Sequence, residues 1–202
     1  MIAIVDYNMG NLRSVQNAFE KIGSKTTIVS NPSKLSTYDK VILPGVGAFG
    51  DAMESLKSSG MQEALIEYAK KGNPMMGVCL GMQLLFESSE EFGKHTGLGL
   101  IEGEVKAFDT SRFQTPLKVP HMGWNDIITR PSPLFKGLSE SFYLYFVHSY
   151  HVVCDEKYLI GKTHYGYDFA SAVQKEHIYG FQPHPEKSHE NGLQILKNFT
   201  EL

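Results

Sequence analysis

The chain has 202 residues, of which 42% are hydrophobic and 20% charged, and its formal net charge is −3 at pH 7. This composition predicts a globular protein with one domain over residues 1–202. Basic and acidic residues are interspersed along the chain, so the sequence lacks the basic face of a nucleic-acid-binding protein. No DNA or RNA partner is therefore expected.

The sequence also indicates a compartment. No apolar run approaches the roughly 18 residues of a membrane span, and no charged segment followed by an apolar one marks a secretion signal. Cys79 and Cys154 are the only cysteines, which favours a reducing compartment over a disulfide framework. We expect a cytoplasmic protein that does not associate with a membrane.

The first part of the chain alternates between strand and helix patterns. Residues 1–6 form a short continuous apolar run, which is typical of a strand buried on both faces. Apolar positions from Leu12 to Ile22 then follow a helical spacing. Further strands are predicted at residues 25–29 and 40–43, and further helices around residues 52–56 and 61–71. This alternation predicts an α/β fold with a mostly parallel sheet, flanked by helices, that binds ligands beyond the carboxyl ends of its strands.

A glycine-rich loop follows the third predicted strand. Gly45, Gly47 and Gly50 allow the backbone to approach a ligand closely or to turn a peptide N–H towards it. Their spacing also fits a dinucleotide-binding fingerprint, but it comes after the third strand, and nothing else in the sequence indicates a nicotinamide cofactor. An oxyanion-binding loop is the favoured interpretation, and nucleotide binding is the alternative.

A cysteine lies where the next predicted strand, residues 75–78, meets a helical pattern that begins at Leu80. Gly77 and Gly81 bracket Cys79 with the spacing of a nucleophile elbow, a sharp turn that small neighbours make possible. Backbone N–H groups at the start of the helix would face the sulfur and favour its thiolate form. The alternative is a small, buried and unreactive cysteine.

A histidine and a glutamate near the end of the chain favour the reactive interpretation. His184 and Glu186 are two residues apart, and Pro183 and Pro185 disfavour a helix around them. On an extended backbone both side chains would point to the same side. The histidine could then take the proton of Cys79 while the glutamate orients its ring, as in a nucleophile–base–orienter triad.

The order of predicted elements changes in the second half of the chain. Residues 88–99 are polar and glycine-rich, which predicts a surface loop. Short strand patterns then follow without long helices and predict a mixed or partly antiparallel region. They lie at residues 105–108, 117–119, 126–129, 142–153, 159–164, 170–174 and 178–181. A last helix is predicted at residues 193–199.

Two features of this half have open interpretations. His148 and His151 lie three apart in one predicted strand, so they would face opposite sides, and no second pair completes a metal site. No metal is therefore expected. Trp124, the only tryptophan, lies between strand patterns. It could belong to the core or to a partner interface, and the sequence does not separate the two.

The segment from Gly77 to Gln83, together with His184-Pro185-Glu186, resembles the class I glutamine amidotransferases, whose Cys-His-Glu triad releases ammonia from glutamine. Segments that begin at Pro44, Pro120 and Tyr145 resemble, within that class, the glutaminase subunits that serve a separate cyclase in histidine biosynthesis. The resemblance covers the whole chain and implies the flavodoxin-like fold of the class. Asn8 and Pro183 depart from the family pattern, which usually has glycine and an aromatic residue there.

The resemblance also implies roles for individual residues. Cys79 would attack the carboxamide of glutamine, His184 would carry the proton and Glu186 would orient the histidine. The remaining implied residues are Val46 and Leu80 for the oxyanion hole, Gly47, Gln83, His148, Ser149 and Tyr150 for glutamine, and Met122, Trp124 and Lys187 for the partner. No cofactor is implied.

The implied partner is a cyclase subunit built as a (βα)8 barrel, which would form a heterodimer with this chain. Such a barrel takes about 250 residues, more than the chain has. Three alternatives remain open at this point. The chain could be a related glutaminase that serves another synthase, such as one that aminates a sugar, a stand-alone thiol hydrolase, or a flavodoxin-like binding module with an inert Cys79.

Overall fold

The computed structural model describes residues 1–202, which form a sheet of thirteen strands covered by five α-helices. The strands are β1 Ile2–Val5, β2 Thr26–Val29, β3 Lys40–Leu43, β4 Met75–Val78, β5 Phe86–Ser89, β6 His95–Thr96, β7 Ile101–Ala107, β8 His121–Thr129, β9 Ser141–His148, β10 Tyr150–Val153, β11 Leu159–Tyr165, β12 Tyr167–Lys175 and β13 Ile178–Phe181. The helices are α1 Leu12–Lys21, α2 Phe49–Ser58, α3 Met61–Lys70, α4 Leu80–Leu84 and α5 His189–Thr200. None of these helices combines the length and the apolar character that crossing a bilayer requires.

Four early strands and one late strand form the parallel part of the sheet. Their order is β2-β1-β3-β4-β13, and each neighbouring pair is parallel. β1, β4 and β13 are buried along their whole length, because helices cover both faces. α1 and α5 pack on one face, whereas α2, α3 and α4 pack on the other. The predicted α/β fold with helices on both sides is confirmed.

The turn after β1 explains one departure from the family pattern. Asn8 has a φ of +67°, in the left-handed region that glycine adopts without strain. Asparagine tolerates this region better than most residues do. The N–H of Asn8 donates to Asp6 Oδ1 at 3.0 Å, which secures the turn. Asparagine and the usual glycine therefore meet the same backbone requirement.

The rest of the sheet is largely antiparallel, as predicted. β13 pairs with β12 in antiparallel fashion, and β12, β10 and β7 continue the sheet in the same way. β5 then pairs with β7 in parallel, and β6 closes that edge. A second branch leaves β12 through β11, β8 and β9, all of them antiparallel. This branch carries β8 and β9 to the side of the molecule where β4 ends.

Two predicted elements are wrong. Residues 88–99 are not simply a surface loop, because Ser88 and Ser89 belong to β5 and residues 95–96 form β6. Polar residues are tolerated there because this is the edge of the sheet. Residues 117–119 are not a strand. Leu117 and Val119 are exposed, and the carbonyl oxygen of Lys118 accepts a hydrogen bond from Tyr165 Oη at 2.6 Å rather than from a neighbouring strand.

The predicted strand at residues 142–153 is divided at Ser149. The part before it, β9, pairs with β8, whereas the part after it, β10, pairs with β7 and β12. The break turns the chain, so the prediction that His148 and His151 face opposite sides is wrong. Both rings pack against Phe108, with ring centroids 5.2 Å and 4.9 Å from it. The strand predicted at residues 126–129 starts earlier, at His121, so Trp124 lies within β8.

Candidate active site

Cys79 lies at the sharp turn between β4 and α4, as predicted. Its φ is +55° and its ψ is −116°, a strained conformation for a residue with a side chain. The flanking glycines are required by packing. A Cβ at Gly77 would lie 2.5 Å from the carbonyl oxygen of Gly81, and one at Gly81 would lie 1.8 Å from the carbonyl oxygen of Leu43. The Cys79 N–H donates to the Phe181 carbonyl at 2.7 Å, which ties the elbow to the neighbouring strand.

His184 and Glu186 meet beside this cysteine. His184 Nδ1 lies 2.7 Å from Glu186 Oε1, and both side chains are nearly inaccessible, at 4% and 3% exposure. The prediction of an extended segment here is wrong, since Pro185–Lys187 form a short 3-10 turn. The fixed φ of proline suits the first position of such a turn. The Lys187 N–H closes the turn on the His184 carbonyl at 3.0 Å.

The electrostatics of His184 connect the three side chains. Burial on its own would lower the pKa of His184, because a buried charge loses its hydration. Hydrogen bonds to Cys79 and to Glu186 outweigh that effect and raise the pKa well above its usual value. The geometry therefore favours a protonated imidazole between Cys79 and Glu186. This is the arrangement required for a thiolate nucleophile whose base can return the proton to a leaving group.

Two glutamine side chains complete the surroundings of the sulfur. Gln182 Nε2 lies 3.8 Å from Cys79 Sγ, and Gln182 Oε1 accepts from Gln83 Nε2 at 2.9 Å. Gln83 Nε2 also donates to the carbonyl of Tyr150 at 3.1 Å. The predicted residue Gln83 is thus joined to Cys79 through Gln182. Sequence reasoning gave Gln182 no role, although it lies just after β13, where the strand's carboxyl end reaches the site.

The glycine-rich loop lies against the elbow. A Cβ at Gly45 would lie 2.8 Å from Gly81 N and 2.9 Å from Leu80 Cβ, so only glycine allows the loop to approach α4 this closely. Val46, which follows, is 43% exposed. Gly47 has a φ of +97°, a second position that favours glycine. No backbone N–H of residues 45–48 donates to another group of the chain, which leaves these donors free for a ligand.

Side chains that sequence reasoning missed hold this loop at both ends. Tyr7 Oη donates to the Pro44 carbonyl at 2.9 Å, and Glu91 Oε2 accepts from the Phe49 N–H at 2.7 Å. Tyr7 follows β1 at the carboxyl edge of the parallel strands, which was a usable signal. Glu91 had no such signal, because its place depends on β5 and β6, which the sequence did not predict.

The predicted partner residues form an exposed surface next to the triad. Met122 and Trp124 project from β8 with 62% and 46% of their surface exposed, and Tyr143 on β9 is 60% exposed. Trp124 stacks on His189 with ring centroids 5.0 Å apart. Lys187 is exposed and directly follows Glu186. The structure therefore brings together residues that are far apart in sequence.

Acid is expected to destabilise the fold because of two buried histidines. His121 and His148 hydrogen-bond to each other at 3.0 Å, and burial lowers the pKa of His121 to about 4 and that of His148 to about 3. In the unfolded chain both titrate near about 6.5, so below that pH the unfolded state binds more protons. Each of these two histidines should therefore lower the free energy of unfolding by up to about 1.4 kcal/mol per pH unit near about pH 5.

Urea titrations at about pH 6, 5.5 and 5 measure this slope, because the raised pKa of His184 adds stability as the pH falls from about 7 to 6 and would mask it there. His121→Asn should reduce it, whereas His164→Asn should not, because the His164 side chain is exposed. A free energy of unfolding that stays constant over this range would contradict the assignment of two neutral buried imidazoles.

Comparison with known proteins identifies the family. The family model for glutamine amidotransferase class-I matches residues 3–202. Structures with the same fold include PurLQS from Thermotoga maritima, with a TM-score of 0.78 at 19% identity over 99% of this chain and 97% of that chain. The glutaminase domain of Trypanosoma brucei CTPS has a TM-score of 0.66 at 19% identity over 99% and 93%. The chain belongs to the class I glutamine amidotransferases, a family of enzymes.

Curated relatives narrow this assignment. The imidazole glycerol phosphate synthase subunit HisH of Sulfurimonas denitrificans is 68% identical over 99% of this chain and 97% of that protein. The HisH subunit of Wolinella succinogenes is 58% identical over 100% of both chains. Within its class, the chain belongs to the HisH family.

Proposed function

We propose that this chain is the glutaminase subunit of imidazole glycerol phosphate synthase. It hydrolyses L-glutamine to L-glutamate and ammonia and passes the ammonia to a cyclase subunit in histidine biosynthesis. Membership in the HisH family supports the assignment to this synthase. The observation that carries the chemistry is the buried contact of His184 with Glu186, 2.7 Å apart, next to Cys79.

The proposed reaction uses the three side chains in turn. The Cys79 thiolate attacks the carboxamide carbon of glutamine, and the C–N bond breaks as His184 protonates the leaving nitrogen. Ammonia departs and a thioester remains on Cys79. His184 then takes a proton from water, whose oxygen attacks the thioester, and the thiolate is released with glutamate. Glu186 keeps the imidazole in the tautomer and orientation that both proton transfers require.

Backbone donors are proposed to stabilise the oxyanion formed at each attack. The N–H groups of Val46 and Leu80 would form the hole, since the loop and the start of α4 touch at Gly45. The proposed contacts to glutamine are Gly47, Gln83, His148, Ser149 and Tyr150. Two observations support this assignment. The backbone N–H groups of residues 45–48 are free, and Gln83 donates a hydrogen bond to the Tyr150 carbonyl.

The partner is proposed to be a (βα)8-barrel cyclase that forms a heterodimer with this chain and yields imidazole glycerol phosphate and an aminoimidazole carboxamide ribotide. It would dock on the surface defined by Met122, Trp124 and Lys187, which is exposed, partly apolar and adjacent to the triad. We further propose that residues 1–202 act as one domain in the cytoplasm. Cys79 and Cys154 are both free thiols, which is consistent with that compartment.

The isolated chain is expected to hydrolyse glutamine weakly, and the cyclase with its bound ligand should raise the rate by about a hundredfold. The reason is that the loop at residues 45–48 has few internal hydrogen bonds, so partner contacts can shift it towards the geometry that binds the oxyanion. The measurement is glutamine turnover by the chain alone, with the cyclase, and with the cyclase and its ligand.

Trp124→Ala should reduce the stimulation without changing the reactivity of Cys79 towards an alkylating agent. Ile28→Ala is the matched control, because Ile28 is also an exposed apolar residue but lies on β2, at the opposite edge of the sheet. Equal rates of glutamine turnover by the chain alone, with the cyclase, and with the cyclase and its ligand would overturn the proposed coupling. Rapid turnover by the chain alone would favour a stand-alone thiol hydrolase.

A further inference from the structure

A chain of hydrogen bonds links the partner-facing strand β8 to the proposed glutamine pocket. Asn125 Nδ2 lies 3.2 Å from His121 Nε2, and His121 Nδ1 lies 3.0 Å from His148 Nε2. His148 Nδ1 lies 2.8 Å from the carbonyl oxygen of Tyr150. His121 belongs neither to the proposed triad nor to the oxyanion hole or the glutamine contacts. Its buried place in this chain therefore has no explanation in the proposed chemistry.

The partners fix the position of each proton. A carbonyl can only accept, so His148 Nδ1 carries a hydrogen and, in the neutral ring, His148 Nε2 accepts. His121 Nδ1 then donates, and His121 Nε2 accepts from the amide of Asn125. The amide of Asn125 is itself oriented, because its Oδ1 accepts from the Asp126 N–H at 2.9 Å. A proton added to His148 would place two N–H donors face to face between the histidines.

The series of hydrogen bonds ends at the backbone carbonyl of Tyr150, in the proposed glutamine pocket. The Tyr150 carbonyl accepts from His148 and also from Gln83 Nε2, at 3.1 Å. Gln83 leads through Gln182 to Cys79 Sγ. Tyr150 lies directly after Ser149, where β9 ends and β10 begins. At this break the pairing changes from β8 to β7, and the Ser149 carbonyl accepts from the Phe108 N–H at 3.2 Å.

The His121 ring is held rigidly by the rings on either side of it. It is stacked between Phe146 and Tyr165, with ring centroids 4.8 Å and 4.0 Å away and interplanar angles of 25° in both cases. It is also 3% exposed, so water does not compete for its nitrogens. A stacked and buried imidazole can direct a hydrogen bond with little loss of conformational entropy.

We propose that His121 is a positioning residue for the glutamine pocket. Its Nδ1–H bond to His148 holds the turn from His148 to Tyr150 in the geometry that binds substrate. Both ring nitrogens of His148 are occupied, so His148 serves the pocket through its backbone and its neighbours. His121 itself makes no contact with substrate. The inference rests on the proposed glutaminase function, because it assigns a role within that pocket.

The test measures binding of L-glutamine by calorimetry in a Cys79→Ala background, where no turnover occurs. His121→Phe keeps an aromatic ring in the stack but removes both nitrogens, and His121→Asn keeps one amide donor. His164→Asn is the matched control, because the side chain of His164 is exposed and bonds to Asp168. We expect the Kd for glutamine to rise about tenfold with His121→Phe, less with His121→Asn and not at all with the control.

Nitrogen-15 NMR of the imidazole rings adds a readout that needs no variant, because it reports which nitrogen of each ring carries the proton. His121 and His148 should both be Nδ1–H tautomers at neutral pH. An Nε2–H tautomer at either ring, or an unchanged Kd in a folded His121→Phe protein, would overturn the proposal. If His121→Phe does not fold, the proposal is tested by the tautomers of the wild-type protein and by the Kd of His121→Asn for glutamine. Absence of glutamine binding in the Cys79→Ala parent would instead overturn the proposed function.

Discussion

Replacing Cys79 with alanine is expected to abolish glutamine hydrolysis, a loss on the order of ten-thousandfold or more, and to leave the fold intact. The thiolate is the only group in the proposed site that can form the covalent intermediate. Alanine is smaller than cysteine and removes only the sulfur, which interacts with His184 and makes two long contacts, to the Val147 carbonyl at 3.9 Å and to Gln182 at 3.8 Å. The measurement is glutamate release by the variant in complex with the cyclase.

Cys154→Ala is the matched control. Burial raises the pKa of Cys154 to about 11, so this thiol is neutral and unreactive at neutral pH. The control should keep the wild-type rate, and circular dichroism should show the same helix content in both variants. Substantial glutamate release by Cys79→Ala would show that the nucleophile is another group.

His184→Asn is expected to reduce kcat by about a thousandfold, because the proton no longer has a carrier between Cys79 and the leaving nitrogen. Glu186→Gln should be milder, at about ten- to a hundredfold, since an amide oxygen can still accept from His184 Nδ1. Rates measured under single-turnover conditions would separate the thioester-forming step from product release. A Glu186→Gln enzyme with the wild-type kcat would show that the carboxylate is structural.

The stability of these variants provides an independent check. Glu186 Oε2 is buried and has no hydrogen-bond partner, although its other oxygen binds His184. The carboxylate is nevertheless the counter-ion of a protonated His184, so removing its charge leaves a buried imidazolium unpaired and costs stability. Glu186→Gln should therefore melt below the wild type at neutral pH as well as lose activity. A large drop in Tm with little loss of activity would contradict a catalytic role.

Much of the parallel half could be predicted from the sequence, because a strand that is buried on both faces must be apolar throughout. β3, β4 and β13 were found at their observed bounds for this reason. The helices were found because an apolar stripe must face the sheet. The edge strand β6 and its neighbour β5 were missed, since both are short and mostly polar and carry no such pattern. The break at Ser149 was missed because strand-like patterns lie on both sides of it, and only the change of partner strand divides β9 from β10.

The candidate site was likewise only partly predictable from the sequence. Cys79, His184 and Glu186 were found because their chemistry and spacing carry the signal. Their meeting could not be deduced from spacing, since the contact of His184 with Glu186 depends on a 3-10 turn rather than an extended backbone. Tyr7 and Gln182 are ordinary residues whose importance comes from the groups that they touch. Such contacts arise only when strands distant in sequence become neighbours.

The position of β13 affects how the chain can acquire its structure during synthesis. β13 is the last strand to be made, yet it lies between β4 and β12, and no other strand can join these two. A growing polypeptide therefore carries the proposed nucleophile, Cys79, long before it carries the proposed base, His184, and its sheet remains in two unjoined parts. Both parts expose strand edges that invite pairing with other chains until residues 178–181 are added. The chain thus assembles its reactive centre and closes its most aggregation-prone edges in the same late step, within a stretch of the sequence from Ile178 to Glu186.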